Sequence, residues 1–221
     1  MTPKAVIFDF DGVILESAEI KTQAFLDLFS DHPQHREAIL RHHLDNVGVS
    51  RYRKFEWIYS QLLQMPLEKR ESQHLGKAFS DIALGKILAC SYVPGALESL
   101  EQMQGGARLF IASGTPQEEL DLIVDRRDLR RFFTGVHGTP RTKVEIITMI
   151  LAEFNLQADD AIFVGDGMSD YQAALETSVP FVARESPAGG VDWFALGVDP
   201  LTDLRELAAR IRALESTKMR T

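Results

Sequence analysis

The sequence contains only one cysteine, Cys90, so this chain of 221 residues cannot form an internal disulfide bond. Such sparse cysteine use is typical of proteins in a reducing compartment, and Cys90 is expected to be a small buried apolar residue. The N-terminus lacks the basic start and long apolar stretch of a signal peptide, and no run of about 20 apolar residues could cross a membrane. These absences predict a cytoplasmic protein without a membrane partner.

Positive charge is scarce as well. The chain has 24 Lys and Arg against 32 Asp and Glu, which gives a formal net charge of −8. Because the phosphate backbone of nucleic acids favours basic surfaces, nucleic acid is not an expected partner. The content of 45% hydrophobic and 25% charged residues is typical of a globular protein. The length suits one domain, or a core domain with a modest insertion, as a monomer or homodimer.

Two carboxylates follow the first apolar run of the chain. Residues 5–8 are too few for a helix and predict a strand that is buried on both faces. Asp9 and Asp11 come next, and residues two apart lie on the same side of an extended chain. Carboxylates this close resist double ionisation unless a cation or another partner compensates them. The stretch therefore favours divalent-metal chemistry, although a strand that ends in an ordinary polar turn at Gly12 explains the same residues.

Residues 15–90 contain helical patterns only. Four helices are predicted: Ser17 and Ser50 are expected to cap two of them, and Pro33 and Pro66 start the other two. An all-helical block directly after the first strand favours an inserted helical bundle over a simple crossover. We therefore predict a helical cap domain at residues 15–90 and a core domain made of residues 1–14 and 91–221.

Strands and helices alternate after residue 91. The strands are expected near residues 108–112, 135–136, 161–164 and 179–183. This alternation predicts an α/β fold, a Rossmann-like parallel sheet with helices on both faces. Ligands of such sheets bind at the carboxyl ends of the strands, which is where Asp9 and Asp11 are expected.

Two further polar stretches follow predicted strands. Ser113-Gly114-Thr115 offers a hydroxyl and a glycine amide between a strand and a helix, which can bind an anion, although Thr115 could simply cap the helix. Lys143 begins a later helix, where the helix dipole disfavours a cation. A position facing the site would explain that cost. Arg141 and Lys4 compete for the same role, and a surface lysine stays an alternative.

The last acidic stretch is Gly165-Asp166-Gly167-Met168-Ser169-Asp170. Asp170 alone could be a first-turn acid that the helix dipole favours. Asp166, in contrast, would bring a third carboxylate to the strand ends that already carry Asp9 and Asp11. Clustered acids with oxygen ligands only are suited to Mg²⁺.

These stretches together resemble one known family. D-F-D-G-V-I, S-G-T, a lone lysine and G-D-G-M-S-D, in this order behind matching strands, are similar to the motifs of the haloacid dehalogenase (HAD) superfamily of phosphohydrolases. The helical block resembles its cap of the first type, so the resemblance covers essentially the whole chain. Within the superfamily the chain looks like the β-phosphoglucomutase and phosphoglycolate phosphatase types.

The resemblance implies a role for each motif. Asp9 would be the nucleophile that forms an aspartyl-phosphate, and Asp11 the general acid and base. Ser113 and the Gly114 amide would hold the transferring phosphate, and Lys143 would brace it. The implied cofactor is Mg²⁺, and its implied ligands are Asp9, the main-chain carbonyl of Asp11, Asp166 and, in support, Asp170.

The implied activity is that of a phosphatase acting on a small phosphorylated metabolite, such as a sugar phosphate. Dehalogenases and phosphonate-cleaving members lack the second aspartate, so Asp11 favours phosphate esters. General acid catalysis of this kind contributes roughly 10²–10⁴-fold. A phosphomutase of the β-phosphoglucomutase type and a non-catalytic binding protein with the same fold are the alternatives.

The predicted cap supplies two candidate substrate contacts. Gly48-Val49-Ser50-Arg51 is similar to the cap loop of β-phosphoglucomutases, and Arg51 could bind an anion with two hydrogen bonds. Lys21 lies where those enzymes have a cap histidine, which counts against mutase activity. Lys21 could instead contact a polar substrate or line the entrance. For Arg53 and Lys54 a solvated basic helix start is an equal alternative to a substrate contact. The histidines of the cap are expected on helix surfaces rather than at a zinc site.

Overall fold

A computed structural model describes residues 3–187 and 190–218 of the chain. The described residues form a central sheet of five parallel strands in the order β3-β2-β1-β4-β5. The strands are β1 (Ala5–Phe8), β2 (Arg108–Pro116), β3 (Gly135–Thr139), β4 (Ala161–Gly165) and β5 (Phe181–Ala183). The predicted α/β fold with a parallel sheet is confirmed.

The central strand β1 is buried on both faces, as its apolar sequence predicts. Val6 and Phe8 pack into one hydrophobic core, Ala5 and Ile7 pack into the other, and all four side chains are 0% exposed. A strand in a parallel sheet that is covered on both faces needs apolar residues at every position. The unbroken apolar run at residues 5–8 is therefore explained by its place in the middle of the sheet.

Helices cover both faces of the sheet. The helices of the core are α5 (Ala96–Met103), α6 (Gln117–Arg126), α7 (Lys143–Glu153), α8 (Met168–Thr177) and α9 (Leu207–Lys218). Helices α7 and α8 share the core of Ile7 through residues such as Ile146 and Ala173. Helices α5, α6 and α9 share the core of Phe8. The sheet therefore lies between two helical layers, and a site can form only where the strands end.

Between β1 and β2 the chain forms a separate group of helices. They are α1 (Ala18–Leu28), α2 (Arg36–Asp45), α3 (Arg51–Trp57), which continues as a π-helix (Ile58–Leu63), and α4 (Lys69–Ala89). Three buried aromatic rings, of Phe25, Phe55 and Phe79, meet at their centre, with ring centroids 4.9–5.6 Å from Phe25. These helices occupy the segment that the sequence predicts as the cap.

Several local predictions are wrong. Neither Ser17 nor Ser50 caps its helix with its side chain. The hydroxyl of Ser17 donates instead to Asp11 at 2.6 Å, because a carboxylate is a stronger acceptor than a neutral group. Strand β2 continues to Pro116 instead of ending near residue 112. Cys90, expected to be buried, is only partly buried.

Among the described residues, no helix combines the length and the apolar character that crossing a membrane would require.

The complete burial of β1 makes this strand sensitive to truncation. We expect Ile7→Ala to lower the free energy of unfolding by about 2–5 kcal/mol, because it leaves a cavity in a core that cannot collapse. Urea denaturation measures this value. The matched control is Leu175→Ala, whose side chain is 60% exposed and which should change the value by less than about 0.5 kcal/mol. Equal losses in both variants would contradict the assignment of β1 to the centre of the core.

Candidate active site

The register of the sheet brings the predicted motifs together at the carboxyl ends of the strands, which form one edge of the sheet. Phe8, the last residue of β1, pairs with Ile111 of β2 on one side and with Val164 of β4 on the other. Asp9 follows Phe8 directly, and its amide donates to the Val164 carbonyl at 2.8 Å. Since parallel strands end at the same edge, the stretches that follow each of these residues meet there. The acids are far apart in sequence but adjacent in space.

Three buried carboxylates lie at this edge. Asp9, Asp166 and Asp170 each place a carboxylate oxygen within 4.8 Å of the others, and the residues are at most 5% exposed. Oδ1 of Asp9 and both carboxylate oxygens of Asp166 have no hydrogen-bond partner among the described residues. Buried carboxylate oxygens without a donor are costly unless a cation compensates them. The cluster therefore fits a hard divalent cation.

Lys143 is the cation that contacts these carboxylates. Its Nζ lies 3.0 Å from Oδ2 of Asp9 and 2.5 Å from Oδ1 of Asp170. Burial lowers the pKa of Lys143, but the two carboxylates outweigh it and raise the pKa above its ordinary value. Of the competing cations, Arg141 is exposed, and Lys4 pairs with Asp160 at 3.0 Å. The structure therefore brings Lys143, and neither competitor, into contact with the acids.

One lysine does not neutralise the cluster. Burial first, and then the charge of Asp170, raise the pKa of Asp9 to about 7, although Lys143 partly offsets both. Burial and the charges of Asp9 and Asp170 raise the pKa of Asp166 well above its ordinary value. In the absence of a further cation the folded protein thus holds protons on these acids at pH values where free aspartate has lost them.

Asp11 has different surroundings from Asp9. Its carboxylate accepts hydrogen bonds from Ser17 at 2.6 Å, from Thr115 at 2.9 Å and from the ammonium of Lys21. Burial raises the pKa of Asp11, but the charge and hydrogen bonds of Lys21, together with those hydroxyls, lower it below the ordinary value. The side chain of Asp11 is therefore set apart from the cluster of three acids and is held as a carboxylate.

The glycine after Asp11 allows a close approach of the two acidic loops. Gly12 has a φ of +77°, and a Cβ at this position would clash with the carboxylate of Asp166. The buried guanidinium of Arg184 donates to the Gly12 carbonyl at 3.0 Å and pairs with Glu16 at 2.7 Å. A positive φ costs a residue with a side chain free energy that glycine avoids. Glycine and arginine together fix the loop that carries both predicted catalytic aspartates.

The Ser113-Gly114 stretch lies under a loop of the helical segment. Ser113 is 1% exposed, and its Oγ accepts from the Thr115 amide at 3.1 Å. A Cβ at Gly114 would clash with the carbonyl oxygen of Gly48. Helix α6 begins three residues after Gly114, so the stretch belongs to the end of β2 rather than to the first turn of a helix. The hydroxyl of Thr115, weighed as a helix cap, contacts Asp11 instead.

A cavity of about 50 Å³ lies between the helical segment and the strand ends. The core contributes Asp9, Asp11 and Gly114 to its walls. The helices contribute apolar residues and a set of basic ones. The lining residues from the helical side are Ala18, Lys21, Phe25, His43, Val47, Gly48, Val49, Arg51, Lys54 and Phe79. The basic residues make this side of the cavity complementary to an anion.

Both predicted substrate contacts line the cavity, and both are engaged by carboxylates. Lys21 binds Asp11 and lies 2.6 Å from Oγ1 of Thr115. Arg51 forms two hydrogen bonds to Glu119 of α6, at 2.5 and 3.0 Å, and a third to Ser80 at 2.8 Å. The Arg51–Glu119 pair is buried, which makes it a direct ionic contact between the helical segment and the core. Substrate binding by either cation stays a prediction.

The contacts of four residues around the cavity were not predicted from the sequence. Glu119 and Thr115 hold Arg51 and Asp11 through contacts between distant segments that no local pattern reveals. His43, expected on a helix surface, is 6% exposed, and Lys54, with a solvated helix start as an equal alternative, is 3% exposed. One signal was available for Lys54, because residues three apart in a helix share a face and Lys54 follows Arg51 by three.

Comparisons with known proteins agree with this geometry. The family model of the haloacid dehalogenase-like hydrolases matches residues 6–184. The chain is 27% identical over 188 residues to a phosphoglycolate phosphatase from Synechococcus elongatus, which covers 81% of this chain and 82% of the relative. It is 24% identical to a phosphoglycolate phosphatase from Pseudomonas savastanoi pv. phaseolicola, with coverage of 82% and 69%.

Solved structures share the fold. A predicted phosphatase from Clostridium acetobutylicum superposes with a TM-score of 0.76 at 20% identity, and the match covers 96% of this chain and 100% of the other. CbbY from Rhodobacter sphaeroides in complex with phosphate superposes with a TM-score of 0.74 at 17% identity, with coverage of 94% and 96%. The predicted family is confirmed, and the chain belongs to the haloacid dehalogenase-like hydrolases.

Proposed function

We propose that this hydrolase is a Mg²⁺-dependent phosphatase that cleaves a small phosphorylated metabolite through an aspartyl-phosphate on Asp9. The observation that carries the proposal is the set of buried carboxylates with unpartnered oxygens beside Lys143, at the same edge as Asp11. Two relatives that resemble this chain in sequence are phosphoglycolate phosphatases. The phosphate-bound structure of CbbY, which shares the fold, is consistent with phosphate chemistry.

Asp9 has the properties of a nucleophile in this site. Lys143 binds its Oδ2 at 3.0 Å, which fixes the side chain, while Oδ1 has no hydrogen-bond partner among the described residues. Attack by Oδ1 on the phosphorus would release the alcohol and leave the phosphoryl group on Asp9. Hydrolysis of that ester by water would then regenerate the carboxylate. A carboxylate nucleophile replaces one difficult step by two easier ones.

The oxygen-only donors fit Mg²⁺. Asp9 and Asp166 would be side-chain ligands, the main-chain carbonyl of Asp11 would be a third, and Asp170 would support them. When bound, the ion would neutralise charge on the carboxylates and on the transferring phosphate. Asp170 also accepts a hydrogen bond from the Gly167 amide at 3.0 Å, which orients its carboxylate.

Asp11 would transfer protons. In the present arrangement it is a carboxylate bound to Lys21 and Thr115, which is the form that accepts a proton from the attacking water. To donate a proton to the leaving oxygen, Asp11 must first be protonated, and this requires that its ionic hydrogen bond with Lys21 be broken. General acid and base catalysis requires that the group be protonated in one step and ionised in the other.

The remaining residues would position the phosphate and exclude water. Ser113 and the Gly114 amide would hold the transferring phosphoryl group, and Lys143 would neutralise it, since phosphoryl transfer depends mainly on positioning and charge compensation. We propose that residues 15–90 act as a cap domain over a core of residues 1–14 and 91–221. The contact of Gly48 with Gly114 supports closure of this cap over the strand ends.

The alternatives differ in their products. A phosphomutase given a hexose 1-phosphate and a trace of bisphosphate would isomerise the sugar, whereas a phosphatase would release free phosphate. A panel that includes sugar phosphates and phosphoglycolate identifies the substrate, and a binding protein would turn over none of its members. The sugar phosphate, the cytoplasmic location and the monomeric or dimeric state stay predictions.

Replacement of the nucleophile tests the proposed chemistry. We expect Asp9→Asn to lower the rate of phosphate release from an aryl phosphate by at least about 1,000-fold, because the amide cannot form the aspartyl-phosphate. Colorimetric measurement of phosphate gives the rate, and circular dichroism shows whether the variant is folded. Asp31→Asn, an exposed aspartate near the end of α1, is the matched control. Undiminished turnover by folded Asp9→Asn would refute the proposal.

The cation is tested by a measurement that does not depend on activity. Mg²⁺ should raise the melting temperature of the wild type, because a ligand that binds only the folded state stabilises it. Asp166→Asn should melt higher than the wild type in EDTA, by about 2–4 °C for each 1 kcal/mol of repulsion removed, and should lose most of the Mg²⁺ effect. Asp31→Asn should behave like the wild type. An unchanged Mg²⁺ effect in Asp166→Asn would remove Asp166 from the ligands.

A further inference from the structure

Lys54 is a buried cation that the proposed chemistry does not use. It lies on α3, is 3% exposed and lines the cavity above Asp9. Lys21 and Arg51, the other cations on the helical side, bind Asp11 and Glu119. Among the described residues that line this cavity, Lys54 is the one cation without a carboxylate partner. Its charge is therefore available to a ligand.

A chain of hydrogen bonds holds Lys54 in place. Its Nζ lies 3.2 Å from Nδ1 of His43 and 3.4 Å from the His43 carbonyl oxygen. Because an ammonium only donates, Nδ1 must accept, so the proton of the neutral ring is on Nε2. Nε2 lies 3.1 Å from the hydroxyl of Thr22, which in turn donates to the Ala18 carbonyl at 3.1 Å. Every member of the chain has a defined role, and the lysine is fixed toward the cavity.

Lys54 makes its hydrogen bonds to His43, a neutral partner, and to no carboxylate among the described residues. Burial, followed by the charges of Lys21 and Lys143, lowers the pKa of Lys54 to about 7, although the charge of Asp11 partly offsets them. Burial, followed by the charge of Lys54, lowers the pKa of His43 to about 2, so the ring stays neutral. The Nζ of Lys54 also lies 5.3 Å from the ring centroid of Phe25. A buried ammonium whose direct contacts are all neutral is stabilised when an anion enters beside it.

The cavity limits the size of that anion. Its volume of about 50 Å³ corresponds to roughly four water-sized positions, at about 10–15 Å³ each. The space beside Lys54 therefore suits a short group of two or three carbons, and a larger cavity of about 340 Å³, which shares Gly48, Val49 and Gly114 with it, lies beside Ser113 and Lys143. A hydroxyl of a neutral substrate would hydrogen-bond to Lys54 without compensating its charge, whereas a carboxylate does both.

We propose, on the basis of the phosphatase function above, that Lys54 binds a carboxylate on a short leaving group of the substrate and that His43 is the residue that positions this lysine. The substrate class is then a phosphorylated hydroxy acid. Phosphate chemistry takes place at Asp9, and recognition of the second anion takes place on α3.

A matched pair of substrates tests this specificity. 2-Phosphoglycolate carries the carboxylate, and 2-hydroxyethyl phosphate carries a neutral hydroxymethyl group in the same place. The wild type should prefer phosphoglycolate in kcat/KM by about 10- to 100-fold, the range of a hydrogen bond to a charged group. Lys54→Met should remove most of this preference, mainly through a higher KM for phosphoglycolate, and should leave 2-hydroxyethyl phosphate within about threefold.

The same comparison of KM and kcat for the two substrates tests the role of His43. His43→Leu should raise KM for phosphoglycolate and leave its kcat and the neutral substrate nearly unchanged, because the lysine loses its fixed position and not its charge. His43→Gln, whose amide oxygen can accept from Lys54, should restore part of the loss. A variant that merely weakens the fold would lower turnover of both substrates together, and would overturn the positioning role.

Arg53→Met is the matched control, since it removes the same charge from an exposed neighbour on α3. It should leave the substrate preference unchanged. Equal hydrolysis of the two substrates by the wild type, or equal losses for both in Lys54→Met, would overturn the proposal even when the phosphatase function stands. The wild-type comparison and Lys54→Gln decide the question when Lys54→Met does not fold. Absence of turnover with any phosphate ester would instead overturn the phosphatase function.

Discussion

The compensation of negative charge at one edge of the sheet is the constraint on which the site depends. The strand register brings Asp9, Asp166 and Asp170 together in a buried place at the wall of the cavity. Lys143 meets two of them and leaves oxygens of the cluster without a donor. Burial and mutual repulsion raise the pKa of Asp9 and Asp166, and a bound cation would compensate the charge of both. The buried apolar strand β1 holds Asp9 in this position.

The helical segment meets this edge through polar contacts as well as apolar ones. Arg51 reaches Glu119 of the core, and Ser169 of α8 donates to the Val47 carbonyl at 2.7 Å. Buried ionic contacts gain little net stability but require one particular alignment of their partners. The Arg51–Glu119 and Ser169–Val47 contacts therefore fix how the helical segment lies against the strand ends that carry Asp9 and Asp11.

Much of the fold and the acidic motifs could be predicted from sequence, since both follow from local rules. An apolar run of four residues predicts a central strand, and an acid directly after it must lie at the strand end, as Asp9 does. Lys54 and Glu119 could not be assigned in this way. Their surroundings are set by how the inserted helices meet the core, and a basic residue on a solvated helix has the same local pattern as one that faces a cavity. Capping was mispredicted at Ser17 because the hydroxyl binds the carboxylate of Asp11, whose position beyond the end of β1 is set by the sheet.

The close contact between two glycines restricts the side chains that a site of this kind can accept. The carbonyl of Gly48 rests where a side chain on Gly114 would be, and a side chain on Gly48 would press on the ammonium of Lys143. A methyl group on Gly114 would meet the Gly48 backbone directly and would push the loop of Gly48 away from the strand ends. On Gly48, whose φ is +79°, a methyl group would strain the backbone and displace the flexible ends of Lys143 and Ser169. The limit on side-chain size is therefore strictest at Gly114, where backbone meets backbone.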